Sequence, residues 1–191
     1  MTHISIIGTG NMGQAIATAA ARGGHTVQTI GENDATVAVT GDIVVLAVPY
    51  AALKDIVATR RESLAGRIVV DITNPVNFET FDSLVVPADS SAAAELAAAL
   101  PEARVLKAFN TTFAGTLAAG TVGPLTTTVL VAGDDAEAKA DFATALEATG
   151  LKVIDAGKLA RARELEAFGF LQISLAANEK VSWTGGFGVV A

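Results

Sequence analysis

Apolar residues fall along this chain in two alternating rhythms. Short runs rich in Ile and Val recur at residues 4–7, 26–30, 43–48, 68–72, 105–109, 127–131 and 152–155. Several are continuous rather than alternating, as expected of strands covered on both faces of a parallel sheet. Between them lie stretches rich in Ala and Leu at helical spacing: residues 12–21, 50–64, 90–100, 136–149 and a longer one from 159 to about 180. Strand and helix alternate almost throughout, which predicts an α/β fold with a doubly wound, mostly parallel sheet. Residues 1–157 form this unit in the reading, and residues 158–191 a C-terminal helix and tail packed on it. Only residues 32–41 separate the second strand from the third, close to the shortest parallel crossover. The helix usual there is expected to shrink to a single turn around residues 35–39.

One junction in this pattern carries chemistry. Gly8-Thr9-Gly10-Asn11-Met12-Gly13 stands between the first strand and the first helix. A Gly-x-Gly-x-x-Gly there is the phosphate-cradling turn of a Rossmann-like βαβ unit. Its first glycine allows the tight turn and its second lets the backbone approach a pyrophosphate. The third packs helix on strand, while unpaired helix amides face the negative charge. A second strand follows on schedule, so dinucleotide binding is expected.

Composition narrows the class. The 191 residues are 51% apolar, much of it Ala, which reads as helices packed closely on a sheet. The longest uncharged stretch, residues 108–133, is broken by Gly115, Gly120, Gly123 and Pro124 and cannot be one spanning helix. No membrane segment or secretory leader is legible, so the expected location is cytoplasmic. The absence of cysteine excludes disulfides and thiolate ligands, and no metal site is expected. A net charge of −7 argues against a nucleic-acid partner. Arg60-Arg61, and Arg161 and Arg163 among Glu164 and Glu166, are read as solvated helix surface.

Candidate site residues gather at the carboxyl ends of the strands, where ligands of such sheets lie. Glu32, with Gly31 and Asn33, ends the second strand, where an acidic side chain reads the ribose hydroxyls or is simply a solvated turn residue. No Lys or Arg occurs from residue 23 through 53, so this segment alone favours NAD(H) over NADP(H). The third strand ends in Ala47-Val48-Pro49, a rigid wall for a ribose or nicotinamide, or equally an ordinary helix start. Asn74-Pro75 and Ala108, Asn110 and Thr111 end the fourth and fifth strands. Their amides and hydroxyl can bond a carboxamide or a flat polar ring, or serve as turn and cap residues. Lys107 is read as solvated or snorkelling. His3 and His25 enter strands at the opposite edge. No paired carboxylates or Ser–His couple is legible, so no catalytic side chain is assigned. Hydride transfer between flat rings needs stacking and dryness more than proton traffic.

Several longer motifs carry a resemblance. Gly8–Gly13, Ala47-Val48-Pro49, Val69-Val70-Asp71-Ile72-Thr73-Asn74-Pro75 and Val105-Leu106-Lys107-Ala108-Phe109-Asn110-Thr111 resemble the deazaflavin (coenzyme F420)-dependent NADP oxidoreductases. So do Ala132-Gly133-Asp134-Asp135 and Asp155-Ala156-Gly157-Lys158-Leu159, and the pattern is also similar to the cytosolic domain of the six-transmembrane metalloreductases. The resemblance implies hydride transfer between NADP(H) and a flavin or deazaflavin as small-molecule acceptor. It implies that Thr9, Gly10, Asn11 and Met12 hold the pyrophosphate and that Val48-Pro49, Asn74-Pro75 and Ala108 line the nicotinamide. The family's Gly-Ser-Arg turn for the 2′-phosphate reads Gly31-Glu32-Asn33 here. Trp183 falls where the family closes its acceptor pocket or dimer contact; ordinary packing is the preferred reading. The helix over residues 165–177 is a candidate homodimer face. Two other functions stay open: a dinucleotide-binding sensor without turnover, and an imine reductase of the pyrroline-carboxylate type.

Overall fold

A computed structural model describes residues 1–34 and 36–190. β1 (His3–Ile7) turns into α1 (Asn11–Arg22) and returns as β2 (Thr26–Ile30). β3 (Ile43–Leu46), α2 (Leu53–Leu64), β4 (Ile68–Asp71), α3 (Ala92–Ala99) and β5 (Arg104–Lys107) follow. Then come α4 (Ala114–Ala119), a small hairpin of β6 (Thr121–Val122) and β7 (Leu125–Thr126), β8 (Thr128–Gly133), α5 (Ala136–Glu147), β9 (Lys152–Gly157) and α6 (Ala162–Ala177).

The sheet has seven strands in the order β2-β1-β3-β4-β5-β8-β9, all pairs parallel except β5 with β8. This is the expected doubly wound Rossmann-like sheet. One apolar cluster packs α1 and α5 on one face through Ile16, Ala19 and Phe142; a second packs α2 and α3 on the other through Leu53, Leu64 and Leu96. The central strands are therefore dry on both sides, which explains their unbroken Val/Ile runs. From β1 the chain steps to β2 on one side and then to β3 on the other. That reversal opens a crevice above the carboxyl ends of β1 and β3.

Differences from the sequence reading have local causes. β3, β4 and β5 end one or two residues early, because their last residues turn away to build the strand-end loops. A 3₁₀ turn opens each of the helical stretches at residues 50 and 159. α6 stops at Ala177, where Glu179 takes φ 57° and the Lys180 amide bonds back to the Leu175 carbonyl. α4 and the β6–β7 hairpin were not expected.

The turn expected around residues 35–39 begins at Ala35, which lies outside the described residues; residues 36–39 hold no helix. Side chains satisfy this stretch of backbone instead. Arg60 donates to the Asp34 and Val37 carbonyls, Arg67 to those of Val39 and Gly41, and Gln28 Nε2 to that of Ala38. Arg60 is thus a buried strut, correcting its reading as solvated surface. Among the described residues no helix is long and apolar enough to cross a membrane.

Candidate active site

The glycine loop is built by close approach. Gly8 has φ 116°, and a Cβ there would fall on the Ala47 carbonyl oxygen. A Cβ on Gly13 would fall on the Gly8 carbonyl oxygen. The Gly8 amide bonds to the Ile30 carbonyl at 2.8 Å, tying the loop to β2, and Gln14 Nε2 braces the Thr9 carbonyl at 2.8 Å. Gly10 precedes α1 with no side chain capping the helix. The first-turn amides therefore face the crevice without a protein partner, a cradle that fits a diphosphate.

A cavity opens on each side of this loop. The first, about 490 Å³, is lined by Ile7, Gly8, Thr9 and Gly10, by Gly31 and Glu32, by Ala47, Val48 and Pro49, and by α2 residues including Asp55, Thr59 and Arg60. The second, about 680 Å³, is lined by Asn11 and Met12, by Asn74 and Asn110, and by Phe113, Ile173, Trp183 and Thr184. Sixteen sequence-derived candidates thus sort mainly into two groups meeting at the loop. Four do not line either cavity: Gly13, Pro75 and Ala108 are buried behind the walls, and Asn33 is exposed on the β2 turn.

Asn74 and Asn110 are locked together. Asn74 Nδ2 donates to the Asn110 carbonyl at 2.9 Å, and Asn110 Nδ2 donates to Asn74 Oδ1 at 2.9 Å and to the Leu165 carbonyl at 2.8 Å. Phe109 makes the turn into this pair with φ 64°, a costly conformation for a bulky residue that buried contact with Phe142 holds in place. Gly169 of α6 lets the pair approach: a Cβ there would lie 2.8 Å from the Asn110 carbonyl oxygen.

Beneath the pair lies an ion triad that spacing did not reveal. Lys107 Nζ sits 2.8 Å from Asp71 Oδ2, 2.8 Å from Glu166 Oε1 and 2.5 Å from the Thr73 carbonyl. All three side chains are buried, so Lys107 is not solvated, which corrects its reading. Period-2 alternation predicts a wet face only where a sheet has one, and this sheet is covered twice. Asp71 Oδ1 also accepts the Thr73 amide at 2.8 Å, so the triad fixes the turn that carries Asn74. Glu166 additionally accepts the Ala92 amide at 2.9 Å and the Ala93 amide at 3.3 Å, closing the start of α3. Burial pushes the Glu166 carboxyl up, against the opposing pull of Lys107 and the Ala92 amide.

Trp183 is 53% exposed and lies 5.0 Å from Phe113, centroid to centroid, at the wall of the larger cavity. It thus packs on Phe113 and lines the cavity at once. None of the residues lining this cavity titrates near neutral pH, and no cluster of metal-ligating side chains occurs among the described residues. Such a wall of aromatics, amides and hydroxyls can stack and orient a planar ring but does not supply a strong acid or base.

Comparison with known proteins agrees with this geometry. A family model described as "NADP oxidoreductase coenzyme F420-dependent" matches residues 26–75. The F420-dependent NADP reductase of Methanocaldococcus jannaschii is 33% identical over 162 residues, covering 82% of this chain and 71% of the relative. Metalloreductase STEAP3 of Rattus norvegicus is 39% identical over 106 residues, covering 56% of this chain and 20% of that one. A crystal structure from Arthrobacter sp. FB24, assigned as an F420-dependent NADP reductase, superposes over all of both chains with TM-score 0.87 and 28% identity. A glycine-cradled crevice, its locked strand-end amides and the likeness to the Methanocaldococcus reductase concur: the chain is an oxidoreductase and belongs to the F420-dependent NADP reductase family.

Proposed function

We propose that this oxidoreductase passes a hydride between NAD(P)H, held across the glycine loop, and a deazaflavin or flavin ring seated against Trp183. The observation that carries the reading is the pair of cavities meeting at one loop, the larger one walled without titratable groups. When bound, the nicotinamide supplies the hydride and the acceptor's ring system takes it up. The chain's own contribution is placement. Thr9 and the first-turn amides of Asn11 and Met12 hold the diphosphate, with Gly8, Gly10 and Gly13 giving it room. Gly31, Glu32 and Asn33 bound the adenosine end, and Ala47, Val48 and Pro49 wall the ribose. Asn74 and Asn110 orient the nicotinamide carboxamide, with Pro75 and Ala108 as backing behind them. Phe113 and Trp183 stack the acceptor and shed water from the meeting point.

Residues 158–191 act, in this proposal, as a segment that completes the acceptor side of a unit formed by residues 1–157. The support is that Ile173, Trp183 and Thr184 line the larger cavity. A second copy on α6 is proposed from Phe168 and Leu171, which are exposed on the helix that buries Leu165; analytical sedimentation reads it directly.

The decisive experiment mixes the purified protein with NADH or NADPH and with F420, FMN or FAD in turn. Loss of reduced-nicotinamide absorbance with F420 is expected. Tight coenzyme binding without turnover on any acceptor would replace this reading with that of a dinucleotide-binding sensor.

A further inference from the structure

The smaller cavity is charged in a way that bears on which adenosine it accepts. Among the described residues that line it, Arg60 is the one cation, and Glu32 and Asp55 supply carboxylates. Its guanidinium is held on the backbone of the crossover: Nη1 donates to the Val37 carbonyl at 2.8 Å and Nη2 to the Asp34 carbonyl at 2.7 Å. The residue is 6% exposed, so little of it meets solvent although it forms part of the cavity wall. The Gly31 amide, at the end of β2, is taken as well, since Asp34 Oδ2 accepts it at 2.9 Å. Glu32 stands exposed beside it.

A 2′-phosphate on the adenosine ribose needs free donors and positive charge. Here it would meet a carboxylate occupying the turn amide, a second carboxylate beside that, and an arginine whose two terminal nitrogens each already bond a backbone carbonyl. Ribose hydroxyls need the opposite, an acceptor, and Glu32 is one. From this arrangement we infer that the chain, although its family is named for NADP, takes NAD(H) in preference to NADP(H). Glu32 accepts from the ribose hydroxyls, and Asp34 fills the place where a phosphoryl group would bond the turn. The inference rests on the dinucleotide site proposed above and deepens it.

Dissociation constants of NADH and NADPH, measured by calorimetry on the full chain in one low-salt buffer, test it. The wild type is expected to bind NADH at least tenfold more tightly. The double variant Glu32→Arg/Asp34→Ser, at two exposed positions, is expected to fold with an unchanged melting temperature and to shrink or reverse that ratio. Equal or tighter NADPH binding by the wild type overturns the inference, as does a ratio that the double variant leaves unmoved. If neither coenzyme binds, what fails is the dinucleotide site itself.

Discussion

At the scale of single residues, two kinds of position control this site, and only one is legible in the sequence. The glycines of the loop announce themselves because their chemistry is local: a strand, a fingerprint and a helix in sequence order. Gly13→Ala would drive a Cβ into the Gly8 carbonyl, and both atoms belong to rigid backbone. The loop must open to admit it, so coenzyme affinity is expected to fall roughly tenfold or more, about 1.4 kcal/mol. Calorimetric titration with NADH reads this directly. Lys107 announces nothing, because its partners Asp71 and Glu166 come from elements far apart in the chain. Lys107→Met would strand two buried carboxylates, a change that costs about 3–5 kcal/mol in comparable sites. Replacing the whole triad by neutral side chains of similar volume (Lys107→Met, Asp71→Asn, Glu166→Gln) is expected to recover most of that loss, because no buried charge is then unpaired. Urea unfolding of the two variants side by side separates a missing partner from missing volume.

At the scale of elements, the helices and strands whose borders are set by their own residues match the sequence reading within a few positions. Those shaped by tertiary contact do not. The crossover between β2 and β3 is too short for a helix, and arginines outside it supply its hydrogen bonds. Nothing within the segment encodes that arrangement. α4 and the β6–β7 hairpin lie in a stretch rich in Gly and Thr whose local preferences point to no element. The start of α3 is capped twice, locally by Ser91, whose Oγ accepts the Ala94 amide at 3.0 Å, and remotely by Glu166 of α6. Helices α2 and α3 are also joined through Tyr50, whose hydroxyl donates to Glu95 at 2.6 Å. Burial, then the bond to Glu95, pushes the Tyr50 hydroxyl from 10.0 up to about 12. A raised folded value means that this contribution to stability is complete below the unfolded value and is lost as pH rises through the folded one. Tyr50 is the only tyrosine in the chain, so tyrosinate absorbance reports it alone. The native protein is expected to titrate near 12 and the urea-unfolded chain near 10.0. Glu95→Gln is expected to bring the native midpoint part of the way down, with circular dichroism confirming that the fold persists over the range.

At the scale of the whole molecule, strand order does the arranging. Because β1 lies between β2 and β3, the glycine loop stands where the chain reverses direction across the sheet, and a cavity opens to each side. In the proposed function the two binding events therefore have different neighbours, and the chain carries a probe that distinguishes them. Trp183, its single tryptophan, lines the larger cavity and not the smaller one. F420 or FMN is expected to quench its fluorescence saturably, while adenosine diphosphate, which the proposal places on the loop and in the smaller cavity, is expected to leave it nearly unchanged. Each ligand should still raise the melting temperature, since each binds the folded chain alone. At a hundred times its dissociation constant a ligand adds about 2.7 kcal/mol, which is roughly 5–11 °C for a chain of this size. Quenching by adenosine diphosphate equal to that by the acceptor would mean that the two cavities are not separate sites. A thermal shift without any quenching by F420 or FMN would place the acceptor somewhere other than against Trp183.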